Sequence, residues 1–157
     1  CMDIEVRKLE KEDIEKIIPL RVSLQIYDYK GNLGIEPKEL EDKTRIFLKE
    51  NINRDLYMFG TFVDNELVSI CGFIIFKYFP QANDLGCKVG YVTSVFTKEE
   101  HRGKGYQRKA FEECLNFAKS LGIIRFKLST VNPKAMNMYG SFGFVDDTNA
   151  KKMMISK

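Results

Sequence analysis

The sequence of 157 residues predicts one mixed α/β domain, and three observations support this fold class. Strand-like and helical runs follow one another in the order β-α-α-β-β-β-α-β-α-β-β. Asp64-Asn65-Glu66 separates two strand-like runs and predicts a tight hairpin turn. The nearly continuous apolar run at residues 68–76 is typical of a strand buried on both faces. Because a chain of this length can bury one core, we expect a single domain over residues 1–157.

The first half of the chain predicts one strand, two helices and three further strands. Pro19 is expected to kink or divide the first helix, because proline lacks the N–H donor and clashes one turn back. Gly31 and Gly34 predict a loop between the two helices. The expected elements are a strand at residues 4–9, helices at 13–29 and 37–51, and strands at 57–63, 67–79 and 88–97.

The second half predicts a helix at residues 106–120, where apolar residues recur at helical spacing and Gly122 ends the pattern. Residues 124–128 alternate apolar and basic side chains, which is typical of a half-buried strand. A short helix at 135–141 and two last strands at 144–145 and 152–155 complete the expected order.

A basic, glycine-containing loop between a strand and a helix is the most informative segment. It reads His101-Arg102-Gly103-Lys104-Gly105-Tyr106-Gln107-Arg108-Lys109. Free N–H groups at a helix N-terminus favour negative charge, and glycines allow close backbone approach. The loop therefore predicts a site for a ligand that carries a pyrophosphate.

Two common phosphate loops do not match this segment. A P-loop needs G-x-x-x-x-G-K-[ST], which is absent here. A dinucleotide fingerprint needs G-x-G-x-x-G, but Arg108 stands where the third glycine belongs. That fingerprint also belongs to a first βαβ unit, whereas this loop lies two-thirds of the way along the chain.

The segment instead resembles Arg-x-x-Gly-x-Gly/Ala, the coenzyme A pyrophosphate loop of the GNAT acetyltransferases. Gln107 departs from the motif, since it replaces the small last residue. Residues 132–144 resemble a second family signature, Asn-x-x-Ala-x-x-x-Tyr-x-x-x-Gly-Phe, with Asn132, Ala135, Tyr139 and Gly143-Phe144 in place. A helix and a strand separate the two motifs, as in the family.

The resemblance implies a GNAT-like fold, in which helices flank a central, mostly antiparallel sheet that is splayed at the cofactor site. It also implies that acetyl-CoA is the co-substrate and that a primary amine of a small molecule or peptide attacks it directly. Backbone donors in the strand before the loop would then polarise the thioester. The residues so implied to bind the cofactor are Val95, Phe96, Thr97, Arg102, Gly103, Lys104, Gly105, Tyr106, Gln107, Arg108 and Asn132, with the Phe96 side chain pointing elsewhere.

Tyr139 is the residue that the resemblance implies as general acid, donating to the coenzyme A sulfur; packing on the sheet is its alternative role. Asn132 could bind pantetheine or cap the following helix, and capping is favoured. Tyr91 stands where some family members carry a basic glutamate. A water held by Tyr91, Thr93 and Ser94, or else Asp28, could accept the amine proton. Tyr27, Asp28, Tyr91 and Thr93 are the candidate substrate residues.

The composition of the chain limits which further ligands and partners we expect. The net charge of +3 is small, and the positive charge is local, with eight Lys/Arg against four Asp/Glu over residues 98–127. This pattern suits a discrete anionic ligand better than nucleic acid. Four cysteines without C-x-x-C spacing and one histidine predict no metal site, and Cys71 and Cys114 are expected to be reduced core residues. Without an apolar run of transmembrane length, we expect a cytoplasmic monomer or homodimer without a membrane partner.

Two other function classes stay open at this stage. The first is a coenzyme A-binding regulator without turnover, favoured by Gln107 and by the missing acidic residue at position 91. The second is a basic nucleic-acid-binding module, which the core-like spacing of the Tyr and Phe residues disfavours. A thiol-release assay distinguishes an enzyme from the first class, and competition between coenzyme A and an oligonucleotide tests the second.

Overall fold

The computed structural model describes residues 1–130 and 132–156. Within these residues, no helix has both the length and the apolar character needed to cross a membrane. Short 3₁₀ turns precede α1 and follow β4. The elements are β1 (Ile4–Lys8), α1 (Ile14–Asp28), α2 (Pro37–Asn51), β2 (Leu56–Val63), β3 (Glu66–Lys77), β4 (Lys88–Thr97), α3 (Tyr106–Ser120), β5 (Phe126–Lys127) and α4 (Pro133–Ser141).

The five strands form one open sheet in the order β1-β2-β3-β4-β5. Neighbouring strands are antiparallel, except that β4 and β5 are parallel. Asp64 and Asn65 connect β2 to β3 with φ angles of 48° and 69°. Two positive φ angles in a two-residue loop match the twist of a hairpin, so the expected turn is confirmed.

Helices cover both faces of the sheet. On one face, α1 and α2 pack on apolar side chains of β2 and β3, including Met58 and Ile70. On the other face, α3 and α4 pack on Phe59, Cys71 and Phe73. The central strand β3 is buried continuously from Leu67 to Phe73, as expected for a strand covered on both sides.

The fourth strand is irregular where it leaves its neighbours. Ile70 pairs with Phe96, but Gly72 pairs with Thr93, so β4 contains an extra residue opposite Cys71. Ser94, within this bulge, has a φ angle of 57°. On the other side, β5 pairs with Gly90 and Tyr91 alone. Beyond Tyr91, among the residues described, β4 therefore has no strand on its β5 side, and the sheet is open there.

Three sequence predictions need correction. Pro19 does not divide the first helix, because α1 continues through it from Ile14 to Asp28, and a kink at Pro19 stays a prediction. The strand expected at 124–128 is reduced to Phe126–Lys127. No strand forms at 144–145 or 152–155. A strand needs a neighbouring edge to pair with, and the two-residue β5 offers too short an edge; Val145 and Met154 are accordingly exposed.

Gly72 lies close to the backbone of β2, and its replacement gives a stability prediction. A Cβ atom at Gly72 would lie 2.9 Å from the Tyr57 carbonyl oxygen and 3.0 Å from Met58 Cγ. Because a backbone carbonyl cannot move aside without disturbing the ladder, we expect Gly72→Ala to lower the free energy of unfolding by about 1–3 kcal/mol. Urea denaturation followed by circular dichroism measures this change.

Gly140→Ala is the matched control. Gly140 lies in α4, has no positive φ angle and would place its Cβ in open space. Alanine should therefore stabilise the helix by up to about 1 kcal/mol. Equal destabilisation by both variants would mean that close approach at Gly72 is not the cause.

Candidate active site

The loop that connects β4 to α3 presents a row of backbone donors. Gly103 and Gly105 have φ angles of 74° and 81°, a conformation that glycine adopts without strain. Within residues 1–130 and 132–156, the amide N–H groups of residues 103–108 have no protein acceptor. A Cβ atom at either glycine would meet no heavy atom within 4 Å, so the space above the loop is open. The loop thus has the donors and the room that a diphosphate requires.

Gln107 has a structural role that the sequence did not predict. Its side chain turns away from the loop and into the gap between β3 and β4, beside the bulge. With the amide nitrogen facing inward, Gln107 donates to the carbonyl oxygens of Ile70 and Phe96, each at 3.2 Å. We assign this orientation because the two carbonyl oxygens can only accept.

Two hydroxyl groups complete the contacts of this amide. The Gln107 amide lies 2.7 Å from Ser69 Oγ and 3.0 Å from Thr97 Oγ1, and the two hydroxyls lie 2.8 Å apart. Ser69 and Thr97 are both buried. The side chain therefore bridges two strands from the first turn of α3, which explains why a long polar residue can replace the small one in the motif.

Two other loop residues direct their side chains into the protein. Arg102 Nε donates to the Thr97 carbonyl oxygen at 2.9 Å, and its guanidinium lies 5.3 Å from the centre of the Phe96 ring. Tyr106 is 5% exposed, and its carbonyl oxygen accepts from Thr61 Oγ1 at 2.9 Å. Tyr106 and Gln107 can therefore meet a ligand only through their backbone N–H groups.

Lys104 and Arg108 are exposed basic side chains of the loop, as are Arg102 and Lys109. The Arg108 guanidinium lies 5.2 Å from the centre of the Phe142 ring, just after α4. The positive charges of Lys104 and Arg108 belong to the same loop as the free N–H groups, and they favour the binding of an anion there.

Side chains alternate along the end of β4. Val95 packs on the α3 face of the sheet, whereas Phe96 packs against the α1 and α2 core. Phe96 points away from its neighbours, as expected. The Thr97 hydroxyl contacts Ser69 and Gln107 on the α3 face of the sheet.

The polar candidates of β4 lie on the α1 face of the sheet, because Tyr91 pairs with Ile74 and Thr93 with Gly72. The Tyr91 hydroxyl lies 3.0 Å from Ser129 Oγ, across the opening between β4 and the segment after β5. Thr93 Oγ1 lies 3.3 Å from Ser94 Oγ. A water held jointly by Tyr91, Thr93 and Ser94 stays a prediction.

Tyr139 lies in the same apolar cluster as Val95, at the α4 side of the opening. It is 6% exposed, and its ring packs at 5.6 Å from Phe111 and 5.9 Å from Phe144. Burial, with a smaller contribution from the Cys71 thiol, raises the pKa of Tyr139 to about 12. The hydroxyl therefore stays protonated near neutral pH, as a proton donor must.

Asn132 caps α4, as favoured by the sequence. Its side-chain oxygen accepts from the Lys134 N–H at 3.1 Å, and its own N–H donates to Thr130 Oγ1 at 3.1 Å.

Cys71 and Cys114 are free and buried, also as expected.

Tyr27 and Asp28, the two candidate substrate residues on α1, have different positions in the structure. Tyr27 is 53% exposed near the C-terminal end of α1. Asp28 is exposed, and helical spacing places it two turns after Arg21 on the same side of α1. A surface depression of about 670 Å³ lies nearby at the α1–α2 connection, with Glu36 and Glu39 in its lining.

One cluster of potential metal ligands lies elsewhere. Ligand atoms of Glu66, Glu100 and His101 fall within 4.8 Å of one another. Lys98 Nζ lies 3.4 Å from the Glu66 carboxylate, so an ammonium group already neutralises part of this exposed cluster. The absence of a functional metal stays a prediction.

Residues 24–144 match the family model described as the acetyltransferase (GNAT) family. The chain belongs to the GNAT acetyltransferase family. A comparison with curated proteins gives no match.

Solved structures show the same fold at low sequence identity. A predicted acetyltransferase from Clostridium acetobutylicum superposes with a TM-score of 0.80 at 22% identity, over 97% of this chain and 96% of its own. A GCN5-related N-acetyltransferase from Ralstonia eutropha gives 0.78 at 16% identity, over 97% and 99%. Glucosamine-6-phosphate N-acetyltransferase from Arabidopsis thaliana gives 0.67 at 21% identity, over 99% and 97%. The mixed, mostly antiparallel sheet with flanking helices is thus a GNAT fold.

The bridge made by Gln107 predicts separate effects on stability and on cofactor affinity. Gln107→Gly removes the side-chain donor shared by the carbonyl oxygens of Ile70 and Phe96. We expect a loss of about 1–3 kcal/mol in the free energy of unfolding, beyond the helix propensity of glycine. Acetyl-CoA affinity should fall by no more than about tenfold, or 1.4 kcal/mol, because the backbone donors remain. Urea denaturation and isothermal titration calorimetry measure the two quantities.

Lys109→Gly is the control for helix propensity, since Lys109 is exposed in the same first turn of α3. It should cost about 1 kcal/mol. If both variants lose the same stability, the bridge contributes nothing; if Gln107→Gly abolishes binding, Gln107 acts on the cofactor itself.

Proposed function

We propose that this protein transfers the acetyl group of acetyl-CoA to a primary amine of a small molecule or peptide. In this reaction the amine nitrogen bonds to the thioester carbon, the carbon–sulfur bond breaks, the amine loses a proton and the thiolate gains one. The reaction needs a held diphosphate, a polarised carbonyl and two proton transfers. The residues around the end of β4 can meet each need.

The observation that carries the proposal is the row of unpaired N–H groups at residues 103–108, at the N-terminus of a 15-residue helix. These donors, the two glycines and the exposed Lys104 and Arg108 would hold the diphosphate. The structural neighbour from Clostridium acetobutylicum was solved with acetyl-CoA, which supports the same ligand here.

In this proposal the reacting groups lie at the opening beside β4. Backbone N–H groups of Val95 and Thr97 would polarise the thioester oxygen at the bulged strand. Tyr139, with its pKa raised to about 12 by burial, would give its proton to the departing sulfur. On the amine side, a water on Tyr91, Thr93 and Ser94 would carry the second proton away.

Gly105→Val tests the cofactor assignment. A β-branched side chain at this position stands in the open space above the loop and obstructs the diphosphate. We expect acetyl-CoA affinity to fall at least tenfold, which calorimetry at concentrations up to about millimolar measures. Wild-type protein that binds no acetyl-CoA in this range would contradict the proposed function.

Gly122→Val is a closely matched control at the other end of α3. Gly122 has a φ angle of 83°, against 81° for Gly105, and a Cβ there also meets open space. Both variants carry the same backbone strain, so only an effect on the ligand distinguishes them. Equal losses of affinity would show that strain, and not obstruction, weakens binding.

Tyr139→Phe tests the proton donor. Loss of one general acid lowers kcat by roughly 10²–10⁴, and we expect the low end because a thiol with a pKa near 8.5 leaves readily. The acetyl-CoA dissociation constant should barely change, because the ring keeps its contacts. The ionisation of Tyr139 should also cause no fall in wild-type kcat below about pH 11, since its pKa is raised to about 12.

Tyr57→Phe serves as the control, because Tyr57 is another partly buried tyrosine but lies on β2, away from the opening. Thiol release under conditions where chemistry limits turnover is the measurement. Unchanged kcat in Tyr139→Phe would leave Tyr139 a packing residue. Acetyl-CoA binding without thiol release from any of a wide range of amines would favour the non-catalytic regulator.

A further inference from the structure

The buried side of α1 changes from apolar to polar along the helix. Ile14, Ile17 and Ile18 pack into the core. At helical spacing, the same stripe continues through Arg21 and Gln25, which are half-buried. Since α1 lies across β3 and β4, this polar half of the stripe faces the sheet on the side where Tyr91 and Thr93 lie.

Arg21 differs from the other half-buried arginines of the described chain. Arg7 pairs with Asp13, Arg45 with Glu15 and Asp42, and Arg125 with Asp84. Within residues 1–130 and 132–156, the Arg21 guanidinium has no ion pair and no hydrogen bond. The Gln25 side chain, one turn further on, likewise makes no hydrogen bond to a described residue.

The surroundings of Arg21 contain little to neutralise it. Burial lowers the pKa of Arg21 from its usual value, and Asp28 and Tyr29 only partly oppose this effect. Asp28 lies two turns along the helix, is exposed and makes no ion pair with Arg21. Because the other half-buried arginines of the described residues pair with carboxylates, the unpaired guanidinium on the sheet side of α1 indicates a partner that arrives with the ligand.

We infer that Arg21 binds an anionic group, a carboxylate or a phosphate, on the acceptor amine. The inference rests on the proposed acetyl transfer and narrows its acceptor to amines that also carry an oxyanion. The planar guanidinium donates two parallel hydrogen bonds to such a group, and the Gln25 amide can donate a third. The acceptor would then lie between α1 and β4, with its amine toward Thr93 and Tyr91.

Matched pairs of acceptors test this inference. One pair is an amino acid and its carboxamide, and the other is glucosamine 6-phosphate and glucosamine; spermidine serves as a polycation without an oxyanion. We expect wild-type kcat/KM to favour the anionic member of one pair at least tenfold. The favoured pair identifies the oxyanion as carboxylate or phosphate.

Arg21→Gln should reduce that preference to near unity, mainly by raising KM, while kcat/KM for the neutral member changes less than threefold. Arg21→Lys should keep part of the preference, because it keeps the charge but not the fork. Lys16→Gln removes a charge from the exposed side of α1 and should change neither value. Each protein is tested with the same two substrates. The difference between the amine pKa values of these substrates therefore affects wild type and variants equally and cancels when their preferences are compared.

Several outcomes would overturn the inference. One is an unchanged preference in Arg21→Gln, and another is a wild-type preference for spermidine, which would favour the acidic depression lined by Glu36 and Glu39. Where no amine of the panel is acetylated, sodium phosphate and sodium acetate are titrated into protein saturated with coenzyme A. A saturable shift of the Arg21 Nε–H NMR signal, absent from Arg21→Gln spectra, supports the inference, and no shift overturns it. Calorimetry with acetyl-CoA tests the proposed function separately.

Discussion

The contact on which the candidate site depends is the bridge from Gln107 to β3 and β4. These strands lose their regular register at the bulge, so carbonyl oxygens of Ile70 and Phe96 lie close together beside it. One amide side chain from the first turn of α3 donates to both. The same residue belongs to the loop that carries the free N–H groups. The Gln107 side chain therefore links the bulged strands, the first turn of α3 and the loop. At this place, carbonyl oxygens without a donor would lower the stability of the fold.

The bulge also decides which groups reach each side of the opening. It shifts the alternation of side chains by one residue after Ser94, so that Val95 and Thr97 face α3 while Phe96 faces α1. Arg102 then holds the last residue of the strand by donating to the Thr97 carbonyl oxygen. Tyr139 meets Val95 from the α3 side, and Tyr91 and Thr93 approach from the α1 side. The proposed proton donor and the proposed acceptor amine would thereby lie on opposite faces of one strand.

Sequence patterns predicted the elements that depend on local chemistry. The Asp64-Asn65 hairpin, the strand buried on both faces and the cap at Asn132 follow from turn residues, apolar runs and capping preferences. The last two strands failed because alternation cannot show whether a partner edge exists. The role of Gln107 was also missed, since it depends on carbonyl groups of Ile70 and Phe96, far away in the sequence. Its departure from the family motif was the signal that could have drawn attention to it.

Arg21 belongs to no recognisable sequence motif, but its helical spacing from the apolar residues of α1 is informative. A basic residue in line with Ile14, Ile17 and Ile18 contradicts an apolar helix face, and such contradictions tend to fall at functional sites. The loop N–H groups and the Arg21 guanidinium, which have no partner among the described residues, lie on elements that adjoin β4. While water solvates them, each group costs the fold little, because neither is fully buried. A ligand that replaces this water meets donors whose positions the sheet, the bridge and the helices have already fixed, so little further ordering opposes binding.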